Sequence, residues 1–226
     1  MAPPFERENT TPEPCTSTET VTLRSPSGTE FVVPARPLAH LSKYFRTALN
    51  SDFNEAKTRE FDLFEYCDDK VLQAFTNWVC LRSSGVPYGT LQVPFLERLD
   101  QKTMIKGWLF GDYIFAPSFQ NDMMHLMVNV ENQDFEKHTF KTFGQCVPRD
   151  SPLEKYLVDR FCSLMFHYDK SRIDATMEWS TADLRDKVCR RLSEAIWDKK
   201  TCIEKPLNDF SACKAKKYEV NEEEEA

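Results

Sequence analysis

The most constraining stretch of this chain is FVVPARPLAHLSKYFRTAL at residues 31–49, where an apolar strand pattern runs directly into a proline. Pro34 lacks the N–H group that a sheet ladder needs, so it ends the strand, and its fixed φ suits the first turn of a helix. Leu38 and Leu41 are spaced for a short helix, and Ser42 can cap a second one. The stretch therefore predicts a strand followed by two short helices.

A β-hairpin is predicted before this stretch and a third strand after it. Apolar residues alternate from Val21, the chain turns through SPSG at residues 25–28, and the alternation resumes after the turn. Farther on, EFDLFEY at residues 60–66 places Phe61 and Leu63 on one face of an extended segment. These patterns predict a small sheet of three strands.

Helical periodicity dominates the rest of the chain. Local signals mark three of the helix starts: an aspartate pair at residues 68–69, the capping box SPLE at residues 151–154, and the Ser-Thr pair at residues 180–181. The predicted inward-facing stripes are, in chain order, Val71, Phe75, Trp78 and Val79; Met104, Ile105, Trp108 and Leu109; Phe119, Met123, Leu126, Met127 and Val130; Leu153, Leu157, Phe161, Leu164 and Met165; and Leu184, Val188, Leu192, Ala195 and Ile196. The chain is therefore predicted to be α+β, with a three-stranded sheet, flanking helices and further helices towards the carboxy terminus.

Composition divides the chain into four predicted parts. Residues 1–18 are rich in Thr, Pro and Glu and are expected to form a disordered arm, because they offer little apolar surface to bury. Residues 19–132 hold the sheet and its helices, and residues 133–200 form a helical extension. Residues 201–226 read as a polar, acidic tail that ends in EEEE.

Charge and hydropathy disfavour two classes of partner. The chain has 36 acidic and 29 basic side chains and a net charge of −7, which repels phosphate backbones. No apolar run approaches the roughly 18 residues of a membrane-spanning helix, and the amino terminus lacks the apolar stretch of a secretory signal. We expect a cytoplasmic or nuclear protein that does not bind membranes, and the charge argues against nucleic-acid binding as its main activity.

Metal, cofactor and catalytic sites are not expected either. The eight cysteines include no C-x-x-C pair, and the four histidines have no second ligand at helical spacing. Cys80 and Cys162 lie among apolar residues and are interpreted as core thiols rather than nucleophiles. Asp112 falls on an inward stripe and is expected to accept hydrogen bonds near Ala116-Pro117. No enzymatic activity is predicted.

The order of these elements, and the residues that form them, resemble a BTB/POZ domain. The resemblance rests on FVVPARPLAHLSKYF, SDFNEAKTREFDL and VLQAFTNWVCLRSSG, and it covers roughly residues 20–130. The later segments SPLEKYLVDRF and STADLRDKVCRRLSEA resemble carboxy-terminal helices of fungal BTB-containing proteins. One departure is Pro34, which stands where the family commonly has a histidine that opens the first helix.

The resemblance implies a protein–protein interaction module, an adaptor or oligomerisation element, rather than an enzyme. Phe53, Asn54 and Glu55 match the hydrophobic-x-acidic motif with which many BTB adaptors engage cullin scaffolds of ubiquitin ligases, so we predict that they bind a partner. In the alternative interpretation Phe53 packs under its own loop and Glu55 is only solvated. The region from Asp112 to Phe119 would add to the scaffold surface. A homodimer surface is predicted on Leu38, Leu41, Tyr44 and Phe45.

An alternative function is a transcription regulator that dimerises through the same domain. It would act through partners or through the basic cluster on the last predicted helix, which comprises Arg185, Lys187, Arg190 and Arg191. Acidic residues interleave with this cluster, so it is also interpreted as an ordinary solvated helix face.

Overall fold

The computed structural model of the chain describes residues 19–63, 67–85, 99–129, 146–167, 174, 181–197 and 218–220. Its elements are β1 (Thr20–Arg24), β2 (Glu30–Pro34), α1 (Ala35–Leu41), α2 (Lys43–Leu49), α3 (Asn54–Thr58), β3 (Glu60–Asp62), α4 (Asp69–Ser83), α5 (Gln101–Tyr113), α6 (Pro117–Asn129), α7 (Pro152–His167) and α8 (Ala182–Trp197). The predicted α+β class is confirmed. The predicted amino-terminal arm lies outside the described residues, as does most of the acidic tail. No helix in the described ranges is long and apolar enough to cross a membrane.

The sheet has three strands in the order β2-β1-β3. β1 pairs antiparallel with β2, with Val21 opposite Val33, and parallel with β3, with Leu23 opposite Phe61. All four side chains are buried, as the alternation of the sequence predicted. The hairpin turn places Gly28 at a φ of 87°, a conformation that glycine adopts without steric cost.

Hydroxyl groups of the hairpin turn bind the start of α4. The carboxylate of Asp69 accepts hydrogen bonds from Ser25 and Ser27 at 2.6 Å and from Thr29 at 2.9 Å. These hydrogen bonds stabilise the ionised form and hold the pKa of Asp69 below its usual range. The turn and the first turn of α4 are therefore joined by one carboxylate.

Pro34 makes the transition from sheet to helix that the sequence indicated. It still pairs with Thr20 in the ladder, and with φ of −63° and ψ of 128° it is the N-cap of α1. Ser42 then separates α1 from α2, and its hydroxyl oxygen accepts the backbone N–H of Phe45 at 3.3 Å. The same hydroxyl donates to the carbonyl of Ile114 at 2.6 Å, which ties α2 to the end of α5.

A cluster of buried aromatic rings, which we call the Phe75 cluster, forms the centre of the core. The ring centroid of Phe75 lies 5.3 Å from Phe110, 5.2 Å from Phe119, 5.9 Å from Trp78 and 6.3 Å from Phe45. All five rings are fully buried. Such pairs add roughly 0.5–1.5 kcal/mol each beyond the burial of their area. The cluster joins α2, α4, α5 and α6 into one core.

A buried ion pair connects α4 to α6 beside these rings. Asp122 accepts hydrogen bonds from the guanidinium of Arg82 and, at 2.7 Å, from the indole N–H of Trp78. The side chains of both charged residues are almost completely buried. Because each buried charge requires the other, the pair fixes how α4 and α6 align.

The carboxy-terminal helices begin at the predicted caps. Ser151 accepts the N–H of Glu154 at 3.2 Å, while the Glu154 carboxylate accepts the N–H of Asp150 at 2.8 Å. Thr181 caps α8 by accepting the N–H of Leu184 at 3.2 Å. Of the predicted stripes, Leu153, Leu157, Phe161, Leu184 and Val188 are buried, whereas the side chains of Leu164, Met165, Ala195 and Ile196 lie outside the described residues.

Candidate functional site

An open groove lies between α2, α3 and the turn that joins α5 to α6, and we call it the α2–α3 groove. It has a volume of about 610 Å³ and is lined by Lys43, Tyr44, Thr47, Ala48, Phe53, Glu55, Phe61 and Phe115. Phe61 is buried and forms part of its inner surface, whereas the Phe53 and Phe115 side chains are 70% and 50% exposed. Two large aromatic rings that line this depression are thus exposed to solvent.

The predicted partner motif forms part of this groove. Phe53 is the N-cap of α3 and Glu55 lies in the first turn of that helix, so one helix start brings both side chains to the groove. Asn54 is exposed beside them and does not line the groove. The exposure of the Phe53 ring is inconsistent with the alternative interpretation in which this ring packs under its own loop.

α3 itself was not predicted, because no residue of this short helix is buried and its sequence therefore has no apolar stripe. It ends at Arg59, which adopts the left-handed conformation with a φ of 60°, and the Arg59 N–H donates to the carbonyl of Glu55 at 2.9 Å. The next residue begins β3, so the sheet fixes the position of α3 at the groove.

Phe115, which also lines the groove, is held in an unfavourable backbone conformation. Its φ of 51° is left-handed, which costs an L-residue roughly 1–2 kcal/mol. The corner persists because the first N–H groups of α2 bind it: Lys43 donates to the Phe115 carbonyl at 3.2 Å and Tyr44 to the Ile114 carbonyl at 3.3 Å. The scaffold surface predicted at residues 112–119 includes Phe115 but does not single it out.

Tyr44 joins this wall to the core. Its ring lies 5.9 Å from the ring of Tyr113, which is exposed, and 5.1 Å from the buried ring of Phe45. Partial burial raises the pKa of the Tyr44 phenol, and the nearby Tyr113 and Glu55 act in the same direction. Tyr44 therefore stays neutral and adds a hydroxyl to the polar groups that line the groove.

The predicted dimer surface requires a correction. Leu38 and Phe45 are both 0% exposed, because they face the sheet and the Phe75 cluster, and neither can contact a second copy while the chain is folded. Leu41 and Tyr44 are partly exposed, so only these two of the four residues lie at the surface. The amphipathic pattern identified a buried face here and not an interface. Self-association stays a prediction.

Cysteine and aspartate positions differ in part from expectation. Cys162 is buried, and burial raises the pKa of its thiol to about 12, as expected of a core thiol. Cys80, in contrast, is exposed on α4. Asp112 accepts a hydrogen bond from Gln120 at 3.3 Å, as predicted, but it is exposed rather than inward-facing. Within the described part of the chain, no three His, Cys, Asp or Glu side chains are placed to hold a metal ion.

The basic cluster on α8 is engaged in ion pairs with acidic side chains. Lys187 binds Glu154 at 2.6 Å and Asp183 at 3.2 Å, and Arg191 binds Asp159 at 2.8 Å. Two of the four basic residues thus have their charge balanced by the protein itself. This arrangement favours the interpretation as a structural helix face over phosphate recognition.

Comparison with known proteins identifies no relative of this chain. The chain matches no protein-family model, and no curated protein is significantly similar to it. The function is therefore inferred from the groove and from the residues that carry the resemblance.

Proposed function

We propose that this chain is a BTB/POZ-type protein-interaction module that docks a helix of a partner protein in the α2–α3 groove, and that the partner is a cullin-type scaffold of a ubiquitin ligase. The observation that carries the proposal is the pair of exposed rings, Phe53 and Phe115, beside an apolar depression with Glu55 at its rim. The order of elements from β1 to α6 and the sheet order β2-β1-β3 support the BTB/POZ part of the proposal. Such a partner implies work in the cytoplasm or nucleus as an adaptor, without catalysis.

The chemistry of the groove specifies what the partner helix must carry. Burying one phenylalanine side chain is worth roughly 1.5–3 kcal/mol, and aromatic anchors surrounded by a polar rim are typical of interface hot spots. The Glu55 carboxylate at the rim requires a lysine, arginine or amide donor on the partner. We therefore expect a partner helix with an apolar stripe and a flanking donor.

The test is titration calorimetry of a cullin amino-terminal domain with the full chain. Phe53→Ala should weaken binding at least about tenfold, because about 1.4 kcal/mol corresponds to a factor of ten. Glu55→Lys should also weaken it, since it replaces an attractive charge with a repulsive one.

Two matched variants control for general effects. Val32→Ala removes an exposed apolar side chain on β2, and Asp186→Lys makes the same charge change as Glu55→Lys on an exposed part of α8. Both should bind like the wild type. Equal binding by wild type, Phe53→Ala and Glu55→Lys would refute docking in the groove, and no binding by any of the proteins would refute the choice of partner.

A further inference from the structure

Residues 218–220 pack against the helices, although they lie within the range predicted to be a polar tail. This Tyr-Glu-Val segment, which we call the tail segment, contacts α6 and α7. Tyr218 is 2% exposed and belongs to the hydrophobic core, and Val220 packs against that core. Each of the three residues makes a specific contact with a different side chain of the helices.

The first contact is a clamp on the main chain. The side-chain amide of Asn121 on α6 accepts the N–H of Val220 at 2.6 Å and donates to the carbonyl of the same residue at 3.1 Å. One asparagine thus satisfies both backbone hydrogen-bonding groups of a single residue, as a neighbouring strand would. This contact recognises the main chain of residue 220 whatever its side chain.

The second contact selects a tyrosine. The ring of Tyr218 packs edge-to-face on Tyr156 with centroids 5.6 Å apart, and its hydroxyl donates to the Asp159 carboxylate at 2.6 Å. Asp159 is buried, and its other oxygen accepts a hydrogen bond from Arg191 at 2.8 Å. Arg191 therefore pairs with this buried carboxylate and orients it towards the phenol.

The third contact selects an acidic residue. The carboxylate of Glu219 lies 2.9 Å from Nε2 of His125 on α6. Together the three contacts recognise the sequence tyrosine, acidic residue, and a third residue held mainly by its backbone. Backbone hydrogen bonding between β-strands, in contrast, would not select side chains in this order.

We propose that α6, α7 and α8 form a binding site for peptides of the sequence Tyr-acidic-aliphatic, and that the tail segment occupies it as a tethered ligand that a partner peptide can replace. The tether explains how so short a segment stays bound, because a linked peptide is present at an effective concentration in the millimolar range. A free peptide with the same three residues makes the same contacts. The site is separate from the α2–α3 groove and does not depend on its function.

The geometry also predicts which tyrosine is accepted. The phenol donates its proton to a carboxylate in a buried position, and burial together with Asp159 raises the pKa of the Tyr218 hydroxyl. A phosphate group would add about two negative charges next to Asp159 and remove the donated proton. The site therefore takes unmodified tyrosine and excludes phosphotyrosine.

The experiment uses the full chain with a protease site introduced within residues 201–210, so that the tail can be cut after folding. The probe is a fluorescein-labelled peptide of residues 214–226, and its binding is measured by fluorescence polarisation. The cut chain should bind the probe saturably, whereas the uncut chain should require at least about tenfold more protein, because its own tail competes. Probes with phenylalanine or phosphotyrosine at position 218 should bind at least about tenfold more weakly to the cut chain.

A matched pair of variants tests the site itself. Asn121→Ala in the cut chain should lose at least about tenfold in probe affinity, while Asn77→Ala, a change at a partly exposed asparagine on α4, should bind like the wild type. Folding is checked by circular dichroism. The proposal would be overturned if the folded cut chain does not bind the probe. It would also be overturned if the wild-type and Asn121→Ala cut chains bind the probe equally.

Hydrogen exchange of the uncut wild type and Asn121→Ala chains gives an answer that does not depend on cutting. With a detachable tail, the amides of residues 218–220 exchange faster than those of α4, and excess unlabelled peptide accelerates them further. Asn121→Ala should raise exchange in the tail segment without raising it in α4. Exchange of the tail segment and α4 at one common rate, unaffected by peptide, would show a fixed part of the core and overturn the proposal.

Discussion

The Phe75 cluster and the α2–α3 groove are both built from aromatic side chains, and they differ in what covers them. In the cluster each ring is enclosed by other rings of the same chain, and none is exposed. In the groove, Phe53 and Phe115 cover little of the chain's own surface, and water covers them instead. The comparison teaches that aromatic content alone does not distinguish folding from binding.

The two regions are nevertheless adjacent. Phe45 belongs to the cluster through its contact with Phe75, and its ring is also 5.3 Å from Phe61, which lines the groove. The groove therefore has a rigid base and exposed walls. Rigid support of exposed anchors reduces the entropy lost on binding, which favours an interaction surface.

The largest expected effect comes from the same substitution made in each region. Phe75→Ala should lower the free energy of unfolding by about 3–5 kcal/mol, because it leaves a cavity among fully buried rings. Phe53→Ala should change it by less than about 0.5 kcal/mol, because this ring is already mostly exposed. Urea denaturation of the two variants measures both values. Comparable losses of unfolding free energy in the two variants would mean that the groove rings also stabilise the fold. The distinction between the cluster and the groove would then fail.

A smaller effect is expected where α5 and α6 approach most closely. A Cβ added at Gly111 would lie 2.8 Å from Cγ of Gln120, which is buried, whereas at Gly107 it would meet the flexible sulfur of Met123 at 3.0 Å. Gly111→Ala should therefore destabilise the chain by about 1 kcal/mol, after the gain of about 1 kcal/mol in helix propensity is subtracted. In thermal unfolding, Gly107→Ala should have a higher melting temperature than Gly111→Ala. The reverse order would show that α5 and α6 are loosely packed against each other.

Acid should loosen the link between α4 and α5 next. Asp68 caps α4 and binds Lys106 of α5, and Asp100 caps α5 and binds Lys70 of α4. For both carboxylates burial alone would raise the pKa, but hydrogen bonds outweigh it and each pKa is lowered. Asp68 accepts them from Lys106 and the capped N–H, and Asp100 from the hydroxyl and N–H of Thr103 and from Lys70.

The sign of this pH effect follows from the lowered values. An unfolded aspartate has a pKa of about 3.9, so the stabilisation is fully present above that pH and is lost as the pH falls through the folded values. The loss should be modest, because water screens these partly exposed groups. The free energy of unfolding, measured between pH 7 and pH 3, should fall more steeply with pH below about pH 4. The fall should be smaller in the double variant Asp68→Asn, Asp100→Asn. Identical pH profiles would exclude these caps as the cause.

The smallest effect on stability should come from Phe115→Gly. Glycine relieves the strain of the left-handed conformation but increases the conformational entropy of the unfolded chain. The two effects oppose each other, so the free energy of unfolding should change by less than about 0.5 kcal/mol. The variant should still bind the partner less tightly, since one wall of the groove is lost. A strongly destabilised Phe115→Gly would show that this ring supports the fold.

Local signals made most of the fold predictable. The proline at the end of β2, the serine before α2 and the capping box before α7 act within a few residues, and each lies where expected. The stripes of α4, α5 and α6 were predicted for the same reason, because a 3.6-residue period is readable in one segment.

The sites were less predictable, because they depend on contacts between distant parts of the chain. The motif at Phe53 is found by resemblance, but the position of Phe115 in the groove depends on the contact between α2 and the α5–α6 corner. Periodicity also placed Leu38 at a surface, since a short apolar stripe does not reveal what covers it. Tyr218 gave no signal, because it is a lone aromatic residue in a polar stretch and its partner Asp159 lies far away in the sequence.

The most direct test of the central claim is a hydrogen-exchange footprint of the full chain with and without a cullin amino-terminal domain. Docking in the α2–α3 groove predicts slower exchange in residues 43–61 and 113–115, with α7 and α8 unchanged. Protection confined to α7 and α8, or no protection at saturating partner, would contradict it.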